Sequence, residues 1–210
     1  MGSMQTYLIT TIIFIISIAI AYTCGKKKRT TPKKGLVIWM TGLSGSGKST
    51  LSLALKQVLE SKGERVELLD GDVIRQYFPN IGFTHEARDE HIRRVGFLAS
   101  RLESYGSIVI GALISPYKES RDFVRSLCPR FVEIHVSTSI EVCEARDVKG
   151  LYDRVRKGEI KQFTGIDDPY DLPENPDITL DTDKLTVDES IQLIMKYLNT
   201  MEVNHGGEKK

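Results

Sequence analysis

Eight consecutive residues, Gly42-Leu43-Ser44-Gly45-Ser46-Gly47-Lys48-Ser49, set glycines, a lysine and a hydroxyl in the spacing G-x-x-x-x-G-K-[ST]. The chemistry this spacing serves is the holding of a polyphosphate. Glycines let the backbone wrap with its N–H groups inward, so that amides and the positive end of a following helix neutralise phosphate charge. Lys48 is then expected to reach the β- and γ-phosphates, and the Ser49 hydroxyl to ligate Mg²⁺. A structural glycine-rich turn could match by chance. Here an apolar run, Leu36 to Met40, precedes the motif and a helical pattern, Lys48 to Ser61, follows it, which is the context the mechanism needs. The pattern predicts a bound nucleoside triphosphate.

A second set of residues suits an acceptor. Asp70-Gly71-Asp72 closes another apolar run and offers two carboxylates, one of which could hold Mg²⁺ or its water and orient an attacking hydroxyl. Further on, Arg88, Ile92, Val95, Ala99 and Leu102 fall on one helical face, so Arg88 continues an apolar stripe and points into a cleft. Of Arg93 and Arg94 at least one is expected to be a solvated surface charge. With Arg75, the region supplies several guanidiniums for an anionic acceptor.

The elements that must position these groups alternate β-branched runs with helical stretches, the pattern of a parallel sheet with crossover helices. Strands are expected at Leu36–Met40, Arg65–Leu69, Ser107–Ile114, Phe131–Val136 and Asp177–Leu180. Helices are expected at Lys48–Ser61, from an N-cap at Thr84 to about Glu103, and at Glu119–Leu127, Ile140–Arg146, Leu151–Lys157 and Asp188–Leu198. Five strands with interposed helices make a three-layer α/β/α fold of the P-loop NTPase kind, with ligands beyond the carboxyl ends of a mainly parallel five-stranded sheet. The polar tail, residues 201–210, is expected to be disordered.

Taken in order, the motifs resemble those of the adenylyl-sulfate kinase family. They are Gly42 to Thr50, Asp70-Gly-Asp-Val-Ile-Arg75, Ile81-Gly-Phe-Thr84 with Arg88 and Ile92-Arg-Arg94, Ile114-Ser-Pro-Tyr117 with Arg121, Arg146-Asp147 with Lys149-Gly-Leu-Tyr152, and Ile160-Lys-Gln-Phe-Thr-Gly165. The resemblance spans residues 36–200 and implies ATP- and Mg²⁺-dependent phosphorylation of the 3′-hydroxyl of adenosine 5′-phosphosulfate. By the same resemblance, Gly42, Leu43, Ser44, Gly45, Ser46, Gly47, Lys48, Ser49, Thr50 and Arg146 serve ATP, with Arg146 on its adenine. Phe83 and Phe163 sandwich the acceptor's adenine, Arg75 and Arg88 grip its phosphosulfate, and His91, Ile114 and Lys161 also touch it. Asp72 orients the acceptor and, with Ser49, holds Mg²⁺; Asp70 lies nearby. Ser115 matches a serine linked in some members to a phosphoenzyme, although direct in-line transfer is expected here. The stretch from Lys149 to Gly165 is expected to form a mobile lid. Three departures stand out: His91 where the family often has Asn, Val148 in place of a frequent proline, and a shorter loop between Asp72 and Phe83.

The beginning of the chain lies outside this pattern. Met4 to Cys24 carries no charge in the 210-residue sequence, and as a helix it would be about 30 Å long, matching a bilayer's hydrocarbon core. Residues 25–35 then form a basic linker whose lysines and arginine are the flank expected on the cytoplasmic side. These features predict a membrane anchor with the kinase domain in the cytoplasm, against the alternatives of a cleaved signal, an interfacial helix, or a cytoplasmic protein whose segment is not inserted. From Leu36 onward 23 basic residues face 28 acidic ones, which argues against a nucleic-acid partner. Cys24, Cys128 and Cys143 fit neither a zinc pattern nor a disulfide framework. The resemblance further implies a homodimer and a functional link to a separate ATP sulfurylase. Two other functions fit parts of the pattern. A kinase for a sugar acid or nucleoside would differ at Phe83, Arg88 and Phe163, and a tethered scaffold would not need Lys48, Ser49, Asp70 and Asp72 intact.

Overall fold

The computed structural model describes residues 34–78 and 81–206, with side chains as far as 201. The expected anchor at 4–24 and the linker up to residue 33 lie outside the described residues. Among the described residues, no helix is long and apolar enough to cross a membrane.

The first strand, β1 (Leu36–Thr41), is buried at every position. Its alternation sends Ile38 and Met40 into one apolar cluster and Val37 and Trp39 into another on the opposite face, as befits a central strand covered on both sides. The chain continues through α1 (Lys48–Ser61), β2 (Val66–Asp70), α2 (Gly71–Tyr77), α3 (His85–Ser104), β3 (Ile108–Ala112) and α4 (Lys118–Leu127). It ends with β4 (Phe131–Val136), α5 (Ile140–Arg146), α6 (Leu151–Arg156), β5 (Ile178–Leu180) and α7 (Val187–Gly206). The strands pair in parallel in the order β2-β3-β1-β4-β5. The chain therefore fills one side of β1 and then the other, and the carboxyl end of β1 is the topological switch point at which open α/β sheets bind ligands.

On one face Leu51, Leu55 and Leu59 of α1 and Ile191, Ile194 and Leu198 of α7 pack on the sheet. On the other face Ile92, Val95 and Ala99 of α3 and Val124 of α4 do so. The three-layer α/β/α fold of the P-loop kind is thereby formed. Gly111 in β3 is fixed by packing: a Cβ there would stand 2.5 Å from Cε3 of Trp39. Gly111→Ala is expected to cost about 1–3 kcal/mol through overpacking, read as a lower urea midpoint with unchanged slope.

Three elements depart from the sequence reading. The helix α2 was not foreseen; it is short and has no buried residue, so it leaves no apolar stripe to detect. The strand β3 ends at Ala112: Leu113 still donates its amide to Met40 O of β1 at 3.2 Å, but its side chain packs in the core and Ile114 O accepts from the Gly42 amide of the phosphate loop at 3.4 Å. Finally, α7 runs through Gly206, so residues 201–206 of the tail expected to be disordered are helical. Nothing between Leu198 and His205 is a helix breaker, and the first glycine marks the end.

Candidate active site

The phosphate loop joins β1 to α1 at the switch point. Gly47 caps α1 at φ 99°, a left-handed conformation that favours glycine, and no side chain caps the helix. The first-turn amides are thus left for a ligand. The Lys48 side chain is buried and folds back over the loop, its Nζ donating to Gly42 O at 2.8 Å, Leu43 O at 2.7 Å and Ser46 Oγ at 3.4 Å. Burial lowers its pKa to about 8, with Lys149 acting the same way and Cys143, Asp72 and Asp70 opposing.

Two residues that sequence reasoning missed hold the loop from behind. Thr182, after β5, donates to Ser46 O at 2.8 Å, and Thr138, after β4, donates to the same oxygen at 3.2 Å; their hydroxyls lie 2.7 Å apart. A threonine just past the end of an apolar strand was the available signal, but only the sheet order brings the ends of β4 and β5 under the loop. Arg146 lies beside them, donating to Thr182 Oγ1 at 2.8 Å, Thr182 O at 2.9 Å and Gly45 O at 3.5 Å. The residue matched to ATP's adenine therefore does border the loop.

The two acidic residues separate in role. Asp70 caps α2 through its Oδ1, accepting from the amides of Asp72 and Val73, while its Oδ2 accepts from Ser49 Oγ at 2.9 Å. Ser49 and Asp70 are thus in contact, while Asp72, two residues further on, has already turned into α2. Asp72 instead pairs with Lys149 across the cleft. A hydroxyl and a carboxylate in contact suit a hard cation such as Mg²⁺. Among the described residues no cluster of three or more His, Cys, Asp or Glu could hold a metal, so the remaining oxygen ligands would come from phosphates and water, as is usual for this ion.

The stretch expected to be a mobile lid is packed down. Tyr152 and Phe163 form a small cluster with Cys143, Leu43 and Ile140, and Tyr152 OH donates to Ser44 O at 2.9 Å. Phe163 is buried and stands edge-on to Tyr152 at 4.9 Å between centroids, whereas Phe83 is 61% exposed with the Arg75 guanidinium 4.7 Å from its ring centre. The two expected walls of an adenine slot thus sit in different surroundings, one in a core and one in solvent.

Arg88 is buried as expected, but its fork is spent on the protein. Its guanidinium donates to Thr164 Oγ1 and Asp168 Oδ2, both at 2.6 Å, and to Gln162 O. Tyr117 OH donates to the same Asp168 oxygen at 2.8 Å. Arg88 thereby ties α3 to residues 162–168 instead of presenting a free bidentate face. Arg75 is close enough that burial first, and the Arg88 cation second, lower its pKa. His91, on the inner face of α3, is 2% exposed, and neither ring nitrogen makes a well-formed hydrogen bond. Lys161 is exposed, and Ile114 uses its carbonyl to accept from Thr41 Oγ1 at 2.6 Å. Arg94 is the solvated member of its pair and Arg93 lies over Phe123.

Ser115 lies inside the core. Its side chain is wholly buried, its φ is 46°, and its Oγ accepts from the Trp39 indole at 2.9 Å, while its carbonyl accepts from Arg121 at 2.8 Å. The Ser115 hydroxyl is thus engaged with β1 just past the end of β3.

The family model described as adenylylsulphate kinase matches residues 34–181. An adenylyl-sulfate kinase of Picosynechococcus sp. is 50% identical over 169 residues, 80% of this chain and 96% of the relative. That of Halothermothrix orenii is 48% identical over 167 residues, 79% of this chain and 90% of the relative. An APS kinase of Mycobacterium tuberculosis, solved in complex with AMPPNP and APS, superposes with a TM-score of 0.77 at 38% identity, covering 80% of this chain and 99% of that one. With its phosphate loop at the switch point and a family match across most of its length, the chain belongs to the adenylyl-sulfate kinase family.

Proposed function

We propose that this chain transfers the γ-phosphoryl group of ATP to the 3′-hydroxyl of adenosine 5′-phosphosulfate, giving ADP and 3′-phosphoadenosine 5′-phosphosulfate, in sulfate activation or assimilation. The observation that carries this reading is the phosphate loop gathered around Lys48, with the Arg75 and Arg88 guanidiniums near one another on the acceptor side. The first suits a polyphosphate and the second an anionic acceptor.

In this mechanism the loop from Gly42 to Thr50 and the uncapped start of α1 receive the triphosphate, and Arg146 flanks its base. The Lys48 ammonium exchanges the carbonyls of Gly42 and Leu43 for phosphate oxygens and stabilises charge on the transferring group. Asp72, held across the cleft by Lys149, orients the acceptor hydroxyl. Mg²⁺ would be held by Ser49 with the Asp70 and Asp72 carboxylates, and it supplies charge neutralisation at the phosphates. Arg75 faces the phosphosulfate, with the Arg88 cation behind it lending positive charge while its fork holds residues 162–168. Phe83 offers one aromatic face to the acceptor's adenine, and Phe163 offers the other once it leaves its contact with Tyr152. Packing of residues 149–165 over the loop excludes water and so limits hydrolysis.

Product analysis tests the assignment. Mass spectrometry and phosphorus NMR of a reaction with ATP, Mg²⁺ and adenosine 5′-phosphosulfate should show one new phosphomonoester on the 3′-oxygen. Turnover of gluconate or a nucleoside, with none of the sulfated nucleotide, would sink the reading. The nucleotide side predicts a pH effect. A bound polyphosphate favours protonated Lys48, which is protonated in the free enzyme only below about pH 8, so AMPPNP affinity is expected to weaken as pH rises past that value, by at most about tenfold per pH unit. A flat calorimetric profile between pH 7 and 9.5 would contradict it.

Three further assignments belong to this reading: a homodimer, a link to a separate ATP sulfurylase, and anchoring of the kinase in a membrane by residues 4–24 with its domain in the cytoplasm. If the anchor operates, the full chain sediments with membranes and resists alkaline extraction, while a chain beginning at Lys34 remains in the supernatant with full activity. Equal partitioning of the two chains would remove it.

A further inference from the structure

Behind the phosphate loop the side chain of Thr182 is fully used. A hydroxyl offers one hydrogen and two lone pairs. The hydrogen of Thr182 goes to Ser46 O at 2.8 Å, one lone pair accepts from Arg146 Nη1 at 2.8 Å, and the other faces the Thr138 hydroxyl at 2.7 Å. Thr138 in turn stands 3.2 Å from the same Ser46 oxygen. The methyl group of Thr182 lies against the next residue, since a Cβ on Gly47 would meet it at 3.3 Å. Both ends of one threonine side chain thus bear on the peptide between Ser46 and Gly47.

The C=O and N–H of that peptide are rigidly opposed across a planar trans bond. Ser46 is wholly buried and Thr138 nearly so, so the oxygen is held toward the protein interior and the Gly47 N–H is turned the other way, to the open side of the loop. Among the described residues nothing accepts from that N–H. Were the oxygen released, the plane could rotate, because glycine tolerates backbone angles of either hand. A loop whose amide faces its ligand only part of the time binds more weakly in proportion to that fraction.

We propose, on the reading of this loop as an ATP site, that Thr182 is a positioning residue which, with Thr138, keeps the Gly47 N–H aimed at the phosphates of the nucleotide. Arg146 takes part by filling a lone pair of Thr182, which directs the hydroxyl hydrogen to Ser46 O. The two threonines act on the nucleotide through the loop and not on the acceptor, so their effect is confined to nucleotide affinity. Loss of binding that ground state and transition state share raises KM and leaves kcat in place.

The test is calorimetric titration with AMPPNP and ADP, beside steady-state kinetics, on the unmodified full chain, Thr182→Val, Thr182→Ser and the double variant Thr138→Val/Thr182→Val. Valine keeps the shape of threonine and lacks its hydroxyl. Thr182→Val should weaken both nucleotides and raise the KM for ATP about threefold to tenfold, the worth of one hydroxyl hydrogen bond, and the double variant should weaken them further. Thr182→Ser should restore most of the affinity. The kcat and the KM for adenosine 5′-phosphosulfate should stay within about twofold throughout. Should Thr182→Val fail to fold, Thr138→Val removes the other hydroxyl, and NMR of the unmodified protein needs no variant: the Gly47 amide proton should move downfield as ADP binds. Unchanged nucleotide affinity in the valine variants, a loss that serine does not restore, an equal loss of acceptor affinity, or a Gly47 amide indifferent to ADP overturns the proposal and leaves the kinase assignment standing. Failure of the unmodified protein to bind AMPPNP or ADP overturns the ATP reading and the proposal together.

Discussion

Replacing Lys48 by alanine is expected to lower kcat on the order of 10³-fold, comparable to the loss of a principal transition-state donor, while leaving the fold intact. The side chain lies over its own loop, bonded to Gly42 O, Leu43 O and Ser46 Oγ, so no neighbouring element depends on it. A stability measurement should move the other way from activity. The folded pKa of Lys48, about 8, lies below its ordinary value of 10.5, so the folded state disfavours the charged form. That cost is full below pH 8 and fades as pH rises toward 10.5. Lys48→Met should therefore melt no lower than the unmodified protein at pH 7, with any advantage shrinking above pH 8. A variant that melts well below the unmodified protein at pH 7 would show that the lysine is structural.

Arg88→Ala should be the most destabilising change in the acceptor wall, at about 3–5 kcal/mol, the usual result of removing one partner from a buried ion pair. The Arg88 and Asp168 side chains are 10% and 11% exposed and 2.6 Å apart. Truncation would leave the Asp168 carboxylate with Tyr117 alone and strip Thr164 and the Gln162 carbonyl of their donor. Arg88→Lys should recover little, since an ammonium cannot span three acceptors in a plane. Chemical denaturation gives the magnitude, and limited proteolysis should cut residues 162–168 faster in both variants. A loss below about 1 kcal/mol, of the size expected for an exposed pair, would mean that Arg88 serves the acceptor alone and does not hold the wall.

How much of this was legible without coordinates differed by element. The loop between β1 and α1 was readable because its spacing, its preceding apolar strand and its following apolar stripe all come from contiguous residues, and the same holds for the Thr84 cap of α3, whose Oγ1 accepts from Ala87. Burial of Arg88 was readable from periodicity. Its partner was not, because Asp168 is eighty residues away and only α3 and the β3–α4 connection bring them together. The contact at Ser115 was hidden for a related reason: nothing near it in sequence announces that Trp39 in β1 donates to its hydroxyl. The contact between Ser49 and Asp70 was hidden as well, since 21 residues separate them and only the folded sheet brings the two motifs together. Thr138 and Thr182 illustrate the same limit, since two strand ends become one buttress only after the sheet has formed.

The most direct test of the kinase assignment is ADP release by a chain beginning at Lys34, supplied with ATP and Mg²⁺, with and without adenosine 5′-phosphosulfate, beside the same chain carrying Lys48→Ala. The account predicts release that depends on the acceptor and disappears in the variant. Nucleotide binding with no acceptor-dependent release would contradict it.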